Sequence, residues 1–159
     1  MSETERHTFF FLFRTDKGRI GRSTWWRGTV PLTILAVVGT MIWIILRPYA
    51  HHDLAQEQFL APMTILAYAY LILFAFAVLL IAICEYNLSA KRFRARGRPA
   101  SLAGLFPLSL LVGSAAIWFI PRSFDSLPDW SAPVIVALMT AVALWNAIEL
   151  GVLNDRPLS

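Results

Sequence analysis

The sequence predicts an all-α integral membrane protein with four transmembrane helices and with both termini in the cytoplasm. Of its 159 residues, 57% are hydrophobic and only 15% are charged, whereas soluble domains carry charge on about a quarter of their residues. The charged residues are also confined to short segments between four long apolar runs. Such runs are too apolar to face water, so they are expected to lie in a membrane.

Each of the four apolar runs is long enough to cross a membrane as a helix. A span needs about 20 apolar residues for a hydrocarbon core of roughly 30 Å, and backbone groups in lipid must pair within the helix. Pro31 is tolerated near the start of a span, where a missing N–H costs least. The predicted spans are residues 28–46, 60–84, 102–120 and 130–153. They leave a cytoplasmic N-terminal segment, 1–27, and a cytoplasmic tail, 154–159.

The distribution of lysine and arginine predicts the orientation of these spans. Of the 14 lysine and arginine residues, all except Arg47 and Arg122 fall on one side of the predicted membrane. Segments rich in these residues remain in the cytoplasm. Both termini and the loop between the second and third spans are therefore predicted to be cytoplasmic. Trp25 and Trp26 are expected at the inner interface, where aromatic side chains anchor helices.

A short apolar cluster, residues 9–13, precedes the first span. It lies between Arg6 and Arg14 and is too short to cross a membrane. The cluster is expected either to lie in the inner interface as an anchor or to act as a simple hydrophobic tether, and the sequence favours neither. Because Glu3 and Glu5 come before it, the order of charges is not that of a cleavable signal peptide.

Two basic stretches indicate a protein family more specifically than the hydropathy of the chain does. The chain reads GRIGRSTWW over residues 18–26, before the first span, and KRFRARGRP over residues 91–99, after the second. Together with the number and spacing of spans, these stretches resemble the small bacterial inner-membrane proteins of the domain of unknown function 805 family. That family combines a Gly-Arg-x-x-Arg-x-x-aromatic motif with a later basic pair, a His-Asp pair and a glycine.

The second stretch departs from the family pattern at one place. It retains Lys91, Arg92 and Gly97, and it has Arg94 and Ala95 where the family shows His-Asp. Proton or metal chemistry that depended on the His-Asp pair would therefore be absent at these positions. The resemblance implies a multi-pass protein of the bacterial inner membrane, and the family name supplies no activity.

The basic residues of these stretches are the leading candidates for a functional site. Each cation beside a bilayer attracts anionic headgroups by about 1 kcal/mol, so four or more predict contact with anionic lipid. A membrane-protein partner could use the same face. The alternative is that the charges only fix topology, and nothing in them resembles a nucleic-acid recognition element. The candidate contact residues are Arg19, Arg22, Lys91, Arg92, Arg94, Arg96 and Arg98.

Three polar residues, Glu85, Asn146 and Glu149, are expected toward the cytoplasmic ends of the second and fourth spans. Acids within a membrane are functional candidates by default. Arg92 follows Glu85 by seven residues and shares its helix face if the helix continues. The two acids are therefore expected either to form structural ion pairs, with Arg92 or with Arg19 and Arg22 as partners, or to take part in proton coupling.

The fourth span carries a ridge of small residues, Ala143, Ala147 and Gly151, spaced four apart. Small residues at this spacing let another helix approach closely. The ridge fits ordinary packing within the chain and contact between copies in a homo-oligomer equally well, so the sequence leaves both open.

No pattern predicts a metal site, a cofactor or a catalytic group. His51, His52 and Asp53 can bind metals, but adjacent side chains point in different directions and no second cluster completes the coordination. Serines and threonines lack a histidine and an acid at motif spacing, and no phosphate-binding loop or CxxC occurs. Cys84 is the only cysteine, so no intramolecular disulfide forms.

These observations predict a non-enzymatic scaffold or accessory subunit whose basic cytoplasmic face contacts anionic lipid or a partner protein. The main rival is a small oligomeric transporter or channel subunit in which Glu85 or Glu149 lines a shared path. Four helices enclose little space, so that hypothesis requires oligomerisation. A membrane-embedded enzyme acting on lipids is a third hypothesis, without a recognisable catalytic set.

Overall fold

Every regular element is helical in the residues that the computed structural model describes, which are 10–50, 61–123 and 130–153. Four long helices follow one another along the chain: α1, Arg22–Ala50; α2, Pro62–Ala95; α3, Leu105–Ser123; and α4, Ser131–Ala147. A π-helical turn, Phe10–Arg14, precedes α1, and a 3-10 turn, Ala100–Gly104, precedes α3. A second π-helical turn, Ile148–Val152, continues α4.

The prediction of four long apolar helices is confirmed. By length and composition, the segments Arg22–Ala50, Pro62–Ala95, Ala100–Ile117 and Ser131–Val152 could each cross a membrane. Helix α1 begins before the first predicted span, which started at residue 28. Pro31 therefore lies inside the helix rather than near its start.

The basic segment after the second predicted span is mostly helical, so the helix continues beyond the span as the pairing of Glu85 with Arg92 would require. The predicted span ended at residue 84, whereas α2 continues through Ala95. A hydropathy scan finds only the apolar part of a helix. The polar extension remains helical because its side chains are buried against other segments, as described below.

Helix α2 ends in a Schellman motif. The N–H of Arg98 donates to the carbonyl of Phe93 at 2.9 Å, and the N–H of Gly97 donates to the carbonyl of Arg94 at 3.1 Å. This turn requires a left-handed residue after the helix, and Gly97 adopts a φ of 67° there. Glycine takes this conformation without the steric cost that a β-carbon brings. The glycine retained in the basic stretch is thus a helix-ending residue.

The chain divides into two compact units, and each has its own internal contacts. In the unit Thr29–Ile83, the Tyr70 hydroxyl donates to the carbonyl of Gly39 at 2.6 Å. Tyr70 stacks on Phe74, whose ring fills the space that a side chain at position 39 would need. Glycine at this position therefore allows close packing between α1 and α2.

The second unit comprises Met1–Gly28 and Cys84–Ser159. Its buried apolar residues gather around the last turns of α2, where Leu88 and Phe93 are fully buried and contact other elements of the unit. Helix α3 packs on α4, with Met139 seated against Gly113. The core of this unit thus lies beside the polar end of α2.

Candidate functional site

The last turns of α2 carry two rows of polar side chains. Residues three, four and seven positions apart lie on one face of a helix. The first polar row consists of Asn87, Lys91 and Arg94. The second polar row consists of Glu85, Ser89, Arg92 and Arg96. The two rows hold different parts of the chain against α2.

The first polar row binds the backbone of the N-terminal π-helical turn. The Lys91 ammonium donates to the carbonyls of Phe11 and Leu12, at 2.8 Å in the case of Leu12. The Asn87 amide donates to the carbonyl of Phe13 at 2.6 Å. Lys91 also lies 4.6 Å from the centre of the Phe11 ring, a cation–π distance. The described part of the predicted anchor segment is therefore docked on protein through its backbone.

The Arg94 side chain fixes the next residues of that segment. Its guanidinium donates to the Asp16 carboxylate at 2.8 Å and also to the Asp16 carbonyl. The hydrogen bond from Arg94 and its positive charge hold the pKa of Asp16 below the usual 3.8. Both side chains remain partly exposed, so this ion pair contributes little to the free energy of folding.

Replacing Asp16 by asparagine is expected to remove a pH-dependent part of the stability. Because the folded-state pKa is lowered, the contribution is complete above the unfolded-state pKa and is lost as the pH falls through the folded value. The difference in Tm between wild type and Asp16→Asn should be constant near neutral pH and shrink below about pH 4. Arg94→Leu should lose the same component. A difference that persists unchanged down to about pH 3 would contradict this assignment.

In the second polar row, Glu85 and Ser89 connect α2 to α1. The Trp25 indole N–H points to the Ser89 hydroxyl at 3.4 Å, and that hydroxyl points to the Glu85 carboxylate at 3.4 Å. All three residues are buried. Trp25 was expected to be an interfacial anchor, but it lies within the protein because its ring and N–H both have partners there. Ser89 was not among the predicted site residues.

Arg92, in the same row, caps the C-terminal end of the α4 segment. Its Nε donates to the carbonyl of Leu150 at 2.9 Å, and its Nη2 donates to the carbonyl of Leu153 at 2.8 Å. The last carbonyls of a helix have no partner within the helix and carry the negative end of its dipole. The fully buried guanidinium of Arg92 donates hydrogen bonds to these carbonyls, and its positive charge opposes the negative end of the dipole.

Two residues of α1 cap the carbonyls between those that Arg92 binds. The Trp26 indole N–H donates to the carbonyl of Gly151 at 3.0 Å, and Arg22 donates to the carbonyl of Val152 at 3.2 Å. The Trp26 ring occupies the space where a β-carbon of Gly151 would lie, 2.6 Å from that position. Gly151 of the predicted ridge therefore serves packing within the chain.

Glu149 forms an ion pair with Arg96 at 3.2 Å and lies 3.6 Å from Arg98. These partners differ from the expected ones, which were Arg92 or the pair Arg19 and Arg22. The side chains of Arg96 and Glu149 are only 7% and 11% exposed. The reason for the difference is that α2 continues as a helix and then turns at Gly97, which brings the later arginines to α4.

Asn146 lies one turn before Glu149 and is only 4% exposed. Its side-chain nitrogen has no hydrogen-bond acceptor among the described residues. An unsatisfied buried donor of this kind costs about 1–3 kcal/mol. All three predicted polar residues, Glu85, Asn146 and Glu149, are therefore buried, and all three belong to the same unit.

The predicted basic contact residues separate into two groups by burial. Lys91, Arg92 and Arg96 are buried against protein atoms, and Arg94 is half-buried. Arg19, Arg22 and Arg98 are exposed. Sequence reasoning did not foresee this separation. The separation could have been inferred from the polar residues after Cys84, because they recur at helical spacing. This spacing predicts that α2 continues and that its polar residues lie on two different helix faces rather than on one basic surface.

The tail 154–159, with His51, His52 and Asp53, lies outside the described residues. Within the described ranges, no group of three or more histidine, cysteine, aspartate or glutamate residues could hold a metal. Comparisons with protein-family models, with curated proteins and with solved structures gave no match to this chain. The resemblance to the domain of unknown function 805 family stays a prediction that rests on the two basic stretches.

Proposed function

We propose that the chain is a non-enzymatic, multi-pass protein of the bacterial inner membrane that contacts anionic lipid through its exposed cytoplasmic cations. The observation that carries the proposal is the separation of the basic residues by burial. The buried cations hold the ends of helices in place. The exposed cations remain available to headgroups.

Membrane insertion is supported by the surface of the four helices. Large apolar side chains are exposed along all of them, and examples are Ile45 and Leu73, each 69% exposed. Soluble monomers rarely expose contiguous apolar patches of more than a few hundred Å². Such a surface is stable in the hydrocarbon core of a membrane, because lipid tails are as apolar as these side chains.

In the unit formed by Met1–Gly28 and Cys84–Ser159, the charges around the last turns of α2 support the placement of this end of the unit at the cytoplasmic side. In its described part the acids are Asp16, Glu85 and Glu149, and each contacts an arginine or a serine of the same unit. The exposed cations there are Arg14, Lys17, Arg19, Arg22, Arg27 and Arg98. Such an excess is typical of the cytoplasmic leaflet, where it is attracted by anionic headgroups.

Neutralising four exposed cations is expected to weaken lipid retention without unfolding the protein. The variant carries Arg14→Gln, Lys17→Gln, Arg19→Gln and Arg27→Gln. At about 1 kcal/mol per cation, retention of phosphatidylglycerol should fall by at least tenfold. Native mass spectrometry of protein released from mild detergent, after incubation with phosphatidylglycerol and phosphatidylethanolamine, measures the retained lipid.

The matched control keeps the charges, with Arg14→Lys, Arg19→Lys and Arg27→Lys. It should retain phosphatidylglycerol as wild type does. Equal retention by the glutamine variant and wild type would refute the proposal. The transporter hypothesis receives less support, because the pairing of Glu149 with Arg96 favours a structural role for that acid.

A further inference from the structure

Two buried polar atoms of the α4 segment have no hydrogen-bond partner within the part of the chain that the structure describes. One is the side-chain nitrogen Nδ2 of Asn146, and the other is the carboxylate oxygen Oε1 of Glu149. Asn146 is 4% exposed and Glu149 is 8% exposed. The amide nitrogen donates hydrogen bonds, whereas the carboxylate oxygen accepts them. The segment therefore buries one donor and one acceptor that lack hydrogen bonds.

The ion pairs of Glu149 do not supply the hydrogen bond that its Oε1 atom lacks. Arg96 and Arg98 approach this oxygen at 3.2 Å and 3.6 Å, and neither approach has the geometry of a hydrogen bond. The oxygen can therefore still accept from another donor. The Arg98 side chain is 49% exposed, so the oxygen lies beside a group that reaches the surface, and water can enter from there.

The helix places the donor and the acceptor at a separation that one water molecule spans. Asn146 and Glu149 are three residues apart, and the intervening Ala147 and Ile148 have right-handed helical dihedral angles. Residues at this spacing lie on the same helix face, with their β-carbons about 5–6 Å apart. Two hydrogen bonds of about 2.8–3.0 Å each cover nearly the same distance.

We propose that Asn146 and Glu149 form a binding site for one buried water molecule. The ligand must be small, because both atoms are shielded from the surface. It must also accept one hydrogen bond and donate another, and water does both. The water accepts from Nδ2 of Asn146 and donates to Oε1 of Glu149. Buried waters of this kind bind to buried polar groups that otherwise lack partners. The site is independent of the proposed contact with anionic lipid.

The direct test is NMR spectroscopy of the full-length protein in mild detergent, with isotopically labelled asparagine. The side-chain amide of Asn146 should show a nuclear Overhauser contact with a long-lived water, distinguished from proton exchange by its opposite sign in the rotating frame. Asn87 is the internal control, because its buried amide donates directly to the carbonyl of Phe13. A contact that is absent at Asn146, or equal at the two residues, would overturn the site.

Replacing Asn146 by leucine, which has a similar size, tests the site through stability. A bound water makes the substitution unfavourable, and the folding equilibrium constant should fall by about tenfold, because the water loses its donor. A buried donor that lacked any partner would give the opposite result, since its removal relieves a cost. Unfolding in detergent, followed by tryptophan fluorescence, measures the change. Stability equal to or above that of wild type would contradict the proposal.

A second variant tests whether Glu149 is the acceptor. Glu149→Leu combined with Arg96→Met removes the carboxylate together with the cation that pairs with it. The water contact of the Asn146 amide should then disappear from the NMR spectrum, while the Asn87 amide keeps its wild-type signal. A contact that persists in this variant would show that the water does not bridge the two residues.

Discussion

Replacing Arg92 by leucine is expected to destabilise the protein by about 2–5 kcal/mol. The side chain is fully buried, and its two nitrogens donate to the carbonyls of Leu150 and Leu153. Its removal leaves the buried carbonyl of Leu150 and the partly buried carbonyl of Leu153 without the guanidinium donor, and a buried polar group without a partner costs about 1–3 kcal/mol. These carbonyls also lose the cation that opposes the helix dipole.

Two further variants separate the charge of Arg92 from its geometry. Arg92→Lys should fall between wild type and Arg92→Leu, because an ammonium keeps the charge but cannot hold both carbonyls with the fixed geometry of a guanidinium. Arg27→Leu, at an exposed position nearby in the same unit, should change stability by less than about 0.5 kcal/mol. Unfolding in detergent, followed by tryptophan fluorescence, measures all three. Equal stability of Arg92→Leu and Arg27→Leu would disprove the capping role.

Replacing Glu149 by glutamine is expected to cost about 3 kcal/mol or more. The substitution keeps the size of the side chain and removes only its charge. It removes the carboxylate charge that lies 3.2 Å from the guanidinium of Arg96, whose side chain is only 7% exposed and therefore poorly solvated. An uncompensated buried charge is more costly than the loss of the ion pair itself.

A double variant provides the matched control for Glu149. Glu149→Leu combined with Arg96→Met replaces the buried pair by apolar side chains, and such replacements are often neutral or stabilising. It should therefore recover most of the stability that Glu149→Gln loses. Additive losses in the double variant would show that the two residues act independently. A Glu149→Gln protein of wild-type stability but altered ion flux would support the transporter hypothesis instead.

The helices themselves could be predicted from the sequence because hydropathy is a local property. A run such as residues 60–84 contains no charge, so its composition alone favours a helix that could span a membrane. The same hydropathy pattern ended the span at residue 84 and did not indicate how far α2 continues. It reads the polarity of Lys91 and Arg92 and cannot detect that their charged groups are buried against protein.

The partners of the buried polar residues depended on the tertiary structure. Lys91 meets carbonyls about 80 positions away in the sequence, and Arg92 meets carbonyls 58 and 61 positions away. No local pattern marks these carbonyls, since they are backbone groups that any residue carries. They need donors only because the π-helical turn and the α4 segment end beside α2.

The sequence by itself determined that this protein has four long apolar helices and concentrates its basic residues in a few segments. Only the tertiary structure decided which basic residues are buried and which remain exposed. Three of these residues are buried: Lys91, Arg92 and Arg96. They are buried because the N-terminal π-helical turn and the last turn of the α4 segment place backbone carbonyls and the Glu149 carboxylate against α2. Arg22 and Arg98 stay exposed. Burying a cation is costly unless such partners surround it, so its position in the fold, rather than its type, decides its role.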